Sequence, residues 1–497
     1  MSNDIQKASD DAQLRALGYT SHFDRSMTMW ENFALGFTYL SPVVGVYSVF
    51  AFGLASGGPP MIWAYFIAGI GQFLVALIFG EIVSQYPISG GLYPWGRRLV
   101  GKRWAWMAGW IYAWALFTTI AAVAVGAGPF LALLLGFELK PEVTTIIALV
   151  LVAVSTALNM LGTKLLARIA MFGFICELVG AIIVGVYLLV FHRIQPASIV
   201  FDTFGVEGGG SYLPAFLTAA LVGLFSCYGF EACGDVAEET PNPGRQIPKA
   251  MRMTIYVGVG ASVFVCYALL LAVPDISKVI SGEVTDPLGE ILTTAFGPIA
   301  SKGVIIVVMV SFISCVLSLQ AAVSRLLFSY GRDGMIVGSQ LLAKLSPTTQ
   351  VPTTALIVSG LLPAAIVCLG FFVQDALTTI ISFAVIGIYL GFQMIVAGAL
   401  FARARGWRPA GQFKLGAWGG LINVVALAYG VGAIANLVWP RAPDAAWYTN
   451  YATLLTVAIV AGSGALYMAL TRPYERGTAP AGDAWRNETI RAAPVKA

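Results

Sequence analysis

Twelve long apolar runs leave this chain few folds to choose from. They cover about 29–54, 62–86, 104–135, 143–161, 167–191, 212–234, 251–273, 299–330, 353–372, 376–401, 418–439 and 449–470. An α-helix of about 20 apolar residues spans the hydrocarbon of a bilayer. Hydrophobic residues make up 58% of the chain and charged ones 11%, against roughly 25% charged in a soluble domain. The reading is an all-α integral membrane protein of about twelve transmembrane helices. The six cysteines all fall inside apolar runs and only two histidines exist. No metal site, disulfide or cofactor is expected. A net charge of +4 suggests no nucleic-acid partner, and enzyme chemistry would want clustered ligands or a nucleophile–base pair, which are missing.

Two runs are interrupted at bilayer depth. The first contains Ser41-Pro42-Val43-Val44-Gly45, where Pro42 lacks a donor and Gly45 adds backbone freedom. The sixth contains Phe225-Ser226-Cys227-Tyr228-Gly229, with Glu231 two residues on. Lipid offers no hydrogen bonds, so broken backbone survives there only where protein covers it or it lines a cavity. Each break opens a group of five spans. Five is odd, so the second group inserts upside down. Paired broken helices in inverted halves point to a transporter site.

The expected division is a tail at 1–26, a membrane domain at 27–472 and a tail at 473–497, disordered by composition. The two repeats cover about 27–192 and 211–402, and the extra helices about 417–471. A short amphipathic helix is expected near residues 12–17, and no signal peptide. Lys and Arg crowd alternate loops, among them Arg97, Arg98, Lys102, Arg332 and Arg403. The positive-inside rule then puts both termini in the cytoplasm, in a multi-pass protein of the cell membrane. Trp30, Trp63, Trp104, Trp106, Trp439 and Trp447 lie near span ends, as interface anchors do.

Several motifs together resemble the amino acid–polyamine–organocation permease superfamily. They are residues 14–37, Gly80-Glu81-Ile82 with the segment 87–93, Tyr228-Gly229-Phe230-Glu231 with the segment 242–248, and Ser324-Arg325 with Gly331-Arg332-Asp333-Gly334. The resemblance runs over about 14–473 and is strongest to the branch of GABA and choline permeases. It implies a five-plus-five inverted repeat (LeuT-like) with two extra helices, alternating access, and a solute held between helices 1 and 6. It places Phe225 where relatives carry an aromatic gate, and Glu231 on an acidic position just after the unwound region. In several relatives the fifth helix carries a lysine where Glu177 stands here. That reversal of charge puts direct transfer of a lysine-based proton mechanism in doubt.

Amides freed around Val43, Val44 and Gly45 can take a carboxylate at a half-helix N-terminus. Carbonyls freed around Phe225, Ser226 and Cys227 can take an ammonium. The candidate solute site is therefore Ser41, Val43, Val44 and Gly45 with Phe225, Ser226, Cys227, Tyr228 and Gly229. Two dry packing kinks are the bland alternative. Glu231 is a candidate proton carrier, a partner for the helix 1 amides, or only a carboxylate at the cytoplasmic end; Asp235 and Glu238, on its face, are read as solvated. Glu177 either handles protons or pairs with a basic residue. Glu81 reads as an inner-gate or structural ion pair. Ser311, Ser314 and Ser318 share a face of helix 8; they could touch an ion or the solute, but back-bonding within the helix is the favoured reading.

The function expected is secondary transport of an amino acid or related amine, such as GABA, with proton coupling favoured over sodium. No nucleotide-binding loop is present. Open alternatives are a choline, polyamine or ethanolamine transporter, an amino acid exchanger, and a sensor or channel on the same fold.

Overall fold

The computed structural model describes residues 2–20, 22–372, 376–441, 444–477 and 479–485. Among them there are helices and no strands. Eleven helices among the described residues are long and apolar enough to cross a membrane. We number the spans in chain order: 1, Met29–Gly57; 2, Pro59–Gln85; 3, Lys102–Leu135; 4, Pro141–Met160; 5, Thr163–Phe191; 7, Pro243–Ala272; 8, Pro287–Arg332; 9, Thr353–Gly370; 10, Ile380–Ala404; 11, Gly416–Val438; 12, Ala452–Thr471. Span 6 is shorter. Its helical part, Leu213–Ser226, rises about 21 Å at 1.5 Å per residue, less than the roughly 30 Å of hydrocarbon. The chain continues unwound and resumes as a helical turn at Ala232–Asp235. Eleven plus this broken sixth gives the twelve expected.

Spans 1 and 6 pass each other antiparallel, which the side chains trace step by step. Asn32 donates to the Cys233 carbonyl at 3.0 Å and to the Thr240 hydroxyl at 3.1 Å. A β-carbon on Gly36 would lie 2.7 Å from Cys233 Sγ, one on Gly45 2.9 Å from Ser226 Oγ, and one on Gly57 2.4 Å from the Ala219 Cβ. Sequence numbers rise along one helix as they fall along the other. Small residues let the backbones approach this closely.

The long helix of span 8 starts at Pro298, close to the expected 299, because the non-helical Gly297 (φ 68°, ψ 176°) divides it from a separate helical stretch that begins at Pro287. Three local expectations are corrected. The amino-terminal helix runs over Ser2–Ala16, well beyond residues 12–17. Trp106 is buried and stacks on Trp110 and Tyr467, its indole donating to the Met335 carbonyl. The other five tryptophans are exposed. The tail after residue 472 is ordered as far as 485 wherever described, because two buried guanidinium groups need acceptors. Arg97 donates to the carbonyls of Ala479 and Pro480, and Arg98 pairs with Asp483 at 2.8 Å. Residues 486–497 lie outside the described ones.

Candidate functional site: two breaks, each met by a carboxylate

Pro42 sets the first break. The residue before a proline is steered out of the helical region, and Ser41 sits left-handed at φ 43°, ψ 89°. That ends one helix at Leu40 and starts the next at Pro42. The new helix has donors to satisfy in its first turn. Pro42 has none. Val43 N–H donates to Glu177 Oε1 at 2.9 Å, and the Ser41 hydroxyl donates to the same oxygen at 2.7 Å. Val44 N–H donates to Ser41 Oγ at 3.3 Å, and Gly45 N–H to the Ser41 carbonyl at 2.8 Å. Glu177, from span 5, thus occupies the helix end to which sequence reasoning assigned a solute carboxylate. It is fully buried, its Oε2 has no partner, and no basic side chain pairs with it among the described residues.

The second break spans Cys227 to Glu231. Gly229 takes φ 117°, and a β-carbon there would lie 2.6 Å from the Leu40 backbone nitrogen. Only glycine fits both the torsion and the space. Its N–H donates to Glu231 Oε2 at 2.8 Å. Among the described residues the carbonyls of Phe225, Ser226, Cys227 and Tyr228 accept no hydrogen bond. Ser226 Oγ and the Tyr39 and Tyr228 hydroxyls are buried without partners. Tyr39 and Tyr228 meet edge to face, as do Phe225 and Tyr228.

The structure therefore brings Ser41, Val43, Val44, Gly45, Ser226, Gly229, Glu177 and Glu231 to one crossing. Phe225 lies at its edge, helping to line a cavity of about 370 Å³ with Tyr47, Phe130, Thr285, Asp286 and Ile381. That cavity opens on the end away from the tails. Cys227 turns to the Tyr65 carbonyl. Glu81 lies apart from the crossing and pairs with Arg403 while accepting from Leu415 N–H at 2.8 Å. On helix 8, Ser311 bonds back to Val307, Ser318 bonds Thr38 on span 1 at 2.8 Å, and Ser314 has no partner.

The tail-side end is closed by buried ion pairs. Arg325 grips Glu239 with two bonds, of 2.8 and 2.9 Å. Arg332 holds Glu238 at 2.9 Å, and Glu238 also accepts from Ser89 N–H. Arg97 and Tyr93 both donate to Asp333. Burial, and then Asp333, pushes the Tyr19 phenol up to about 12, so it stays a neutral donor to that carboxylate. Asp235 and Glu238 are fully buried, contrary to their reading as solvated. Their spacing from Glu231 put all three on one helical face; what sequence could not show is that the 89–91 link between spans 2 and 3, span 3 and span 8 cover that face.

A model of the amino acid permease family matches residues 27–460. The chain belongs to that family. It is 27% identical to "Amino-acid permease BAT1" of Arabidopsis thaliana, over 91% of this chain and 93% of that one. A rice homologue of that permease is 28% identical, over 84% and 85%. "Low-affinity putrescine importer PlaP" of Escherichia coli is 25% identical, over 68% and 73%. The chain is thus a multi-pass membrane transporter of small molecules, not an enzyme.

Proposed function

We propose that this permease carries a small zwitterionic amino acid, GABA among the candidates, by alternating access, with a proton as coupling ion and Glu231 as its carrier. The protein would sit in the cell membrane with both tails in the cytosol. One observation carries the reading: the half-helix N-terminus at Val43 and the unbonded carbonyls of residues 225–228 meet at one crossing, where Gly45 lies against Ser226. Positive and negative backbone ends brought together in this way suit a carboxylate and an ammonium on one solute. A sealed tail side and a cavity reaching Phe225 from the other side support the alternation.

Glu177 favours a second reading. A carboxylate already occupies the half-helix end, so a solute with an amine and no carboxylate would also be accommodated. The likeness to a putrescine importer adds weight. A thermal-shift screen of the purified protein against amino acids, GABA, putrescine, choline and ethanolamine separates the two. A solute at 100 times its dissociation constant stabilises by about 2.7 kcal/mol. Stabilisation by amino acids supports the first reading; stabilisation by putrescine or choline alone replaces it with the second.

A further inference from the structure

Glu231 does not stand alone. Asp235 follows it by one helical turn, and both carboxylates reach the same hydroxyl. Tyr112 OH, on span 3, lies 3.4 Å from Glu231 Oε1 and 3.3 Å from Asp235 Oδ2. All three side chains are fully buried.

A phenol has one proton to donate and can also accept. If both carboxylates were ionised, Tyr112 could serve only one, and two like charges would sit together in a dry site. With one proton on the pair, both contacts to Tyr112 are satisfied. The protonated carboxyl donates to the Tyr112 oxygen, and Tyr112 donates to the other. Two acids coupled in this way hold protons as a unit.

The surroundings do not supply a compensating charge. The titratable or charged groups facing the pair are Tyr39 of span 1, Tyr112 of span 3 and Arg325 of span 8, with Tyr228 and Cys233 on the same element. Arg325 is committed to Glu239 through two bonds.

We infer that Asp235 is the tail-side station of a two-carboxylate proton relay, linked to Glu231 through the Tyr112 hydroxyl. This rests on the proton-coupled reading above and adds the route by which the proton leaves. The transfer is an exchange: Glu231 gives its proton to the Tyr112 oxygen as Tyr112 gives its own to Asp235. Glu231 ends ionised, Asp235 protonated, and Tyr112 neutral as it began. The two oxygens of Asp235 then face different ways. Oδ2 meets Tyr112, whereas Oδ1 has no partner among the described residues and lies where a β-carbon on Gly91 would come within 2.3 Å. The covering segment is held by Gly90 N–H on the Asp235 carbonyl and by Ser89 on Glu238. When the Arg332–Glu238 pair opens, that cover lifts and Oδ1 meets tail-side water.

The test uses the full-length protein in proteoliposomes, with radiolabelled GABA and putrescine as probes. Accumulation driven by an imposed pH gradient is compared with solute exchange at equal pH. In Asp235→Asn and in Tyr112→Phe, accumulation should fall at least tenfold more than exchange, and Asp235→Glu should restore part of it. Loss of a merely structural contact would lower both together. Tyr112→Phe removes one oxygen and preserves shape, so it stands in if Asp235→Asn does not fold. Wild-type ratios in both variants, with accumulation lost in Glu231→Gln, would overturn the relay and leave the carrier role of Glu231 intact. No pH-driven accumulation of either probe by the wild type would overturn both.

Discussion

The two breaks solve one problem in different ways. Unwinding a helix in a bilayer leaves backbone donors without partners. In span 6 the cap is local: Glu231 turns back two residues to the Gly229 N–H. In span 1 it comes from another helix, as Glu177 of span 5 reaches Val43 and Ser41. A local cap travels with its helix. A cap from a neighbour ties two helices together and must be released if they separate. Span 1 is therefore latched and span 6 is self-contained, which assigns different tasks to two carboxylates that look alike in sequence.

The largest effect is expected at Gly229, where local capping depends on backbone geometry. Gly229→Ala adds a β-carbon 2.6 Å from a backbone nitrogen at φ 117°. Backbone strain of about 1–3 kcal/mol and overpacking of about 1–3 kcal/mol should together remove about 2–6 kcal/mol. Uptake should vanish and thermal stability fall sharply. Normal uptake by this variant would mean that the break is not held as described.

At Gly45 the obstruction is a side chain, so the effect should be smaller and reversible. Gly45→Ala meets Ser226 Oγ at 2.9 Å and its Cβ at 3.0 Å, a cost of about 1–3 kcal/mol. Adding Ser226→Gly should recover more than half of it, a coupling within the usual range of about 0.5–3 kcal/mol for residues in contact. Additive losses in the double variant would show that the two breaks do not touch at this point.

Both breaks were legible from single residues. Pro42 forces a change of torsion before it, and Gly229 stands where a span meets a carboxylate. The antiparallel pairing followed from five spans being odd. The identity of the caps was not legible. Glu177 lies 136 residues from Ser41, and no local pattern links them. Asp235 and Glu238 were misread for a related reason. A charged stripe on a helix is usually a wet face, and only the packing of Tyr112, Gly91 and Arg332 around it reverses that. The ordered tail escaped notice because its partners are the buried Arg97 and Arg98, whose need for acceptors composition cannot express.

Removing the latch tests the contrast directly. Glu177→Ala leaves the Val43 N–H buried without a partner, at about 1–3 kcal/mol. Hydrogen exchange should then accelerate at residues 43–45 while the 229–235 segment stays as in wild type. Glu231→Ala should do the reverse. Matching exchange patterns in the two variants would remove the distinction between a latch and a local cap.

The smallest effect separates the two solute readings. Glu177→Gln keeps a carbonyl oxygen to accept from Val43 and Ser41, so stability should change by less than about 1 kcal/mol. When Glu177 is ionised, what the variant loses is a negative charge at a half-helix N-terminus, worth about 0.3–1 kcal/mol. A zwitterion bringing its own carboxylate to that end competes with Glu177 and should compete better with an uncharged amide. Its affinity should rise about 2–5-fold, since about 1.4 kcal/mol is tenfold. An amine without a carboxylate is drawn by the same charge and should bind more weakly by a similar factor. Tighter GABA binding with weaker putrescine binding fits Glu177 as a stand-in for the solute carboxylate. Weaker putrescine binding with GABA unmoved would make Glu177 the counter-ion of a transported amine, and span 1 would then be latched by the residue that recognises the cargo.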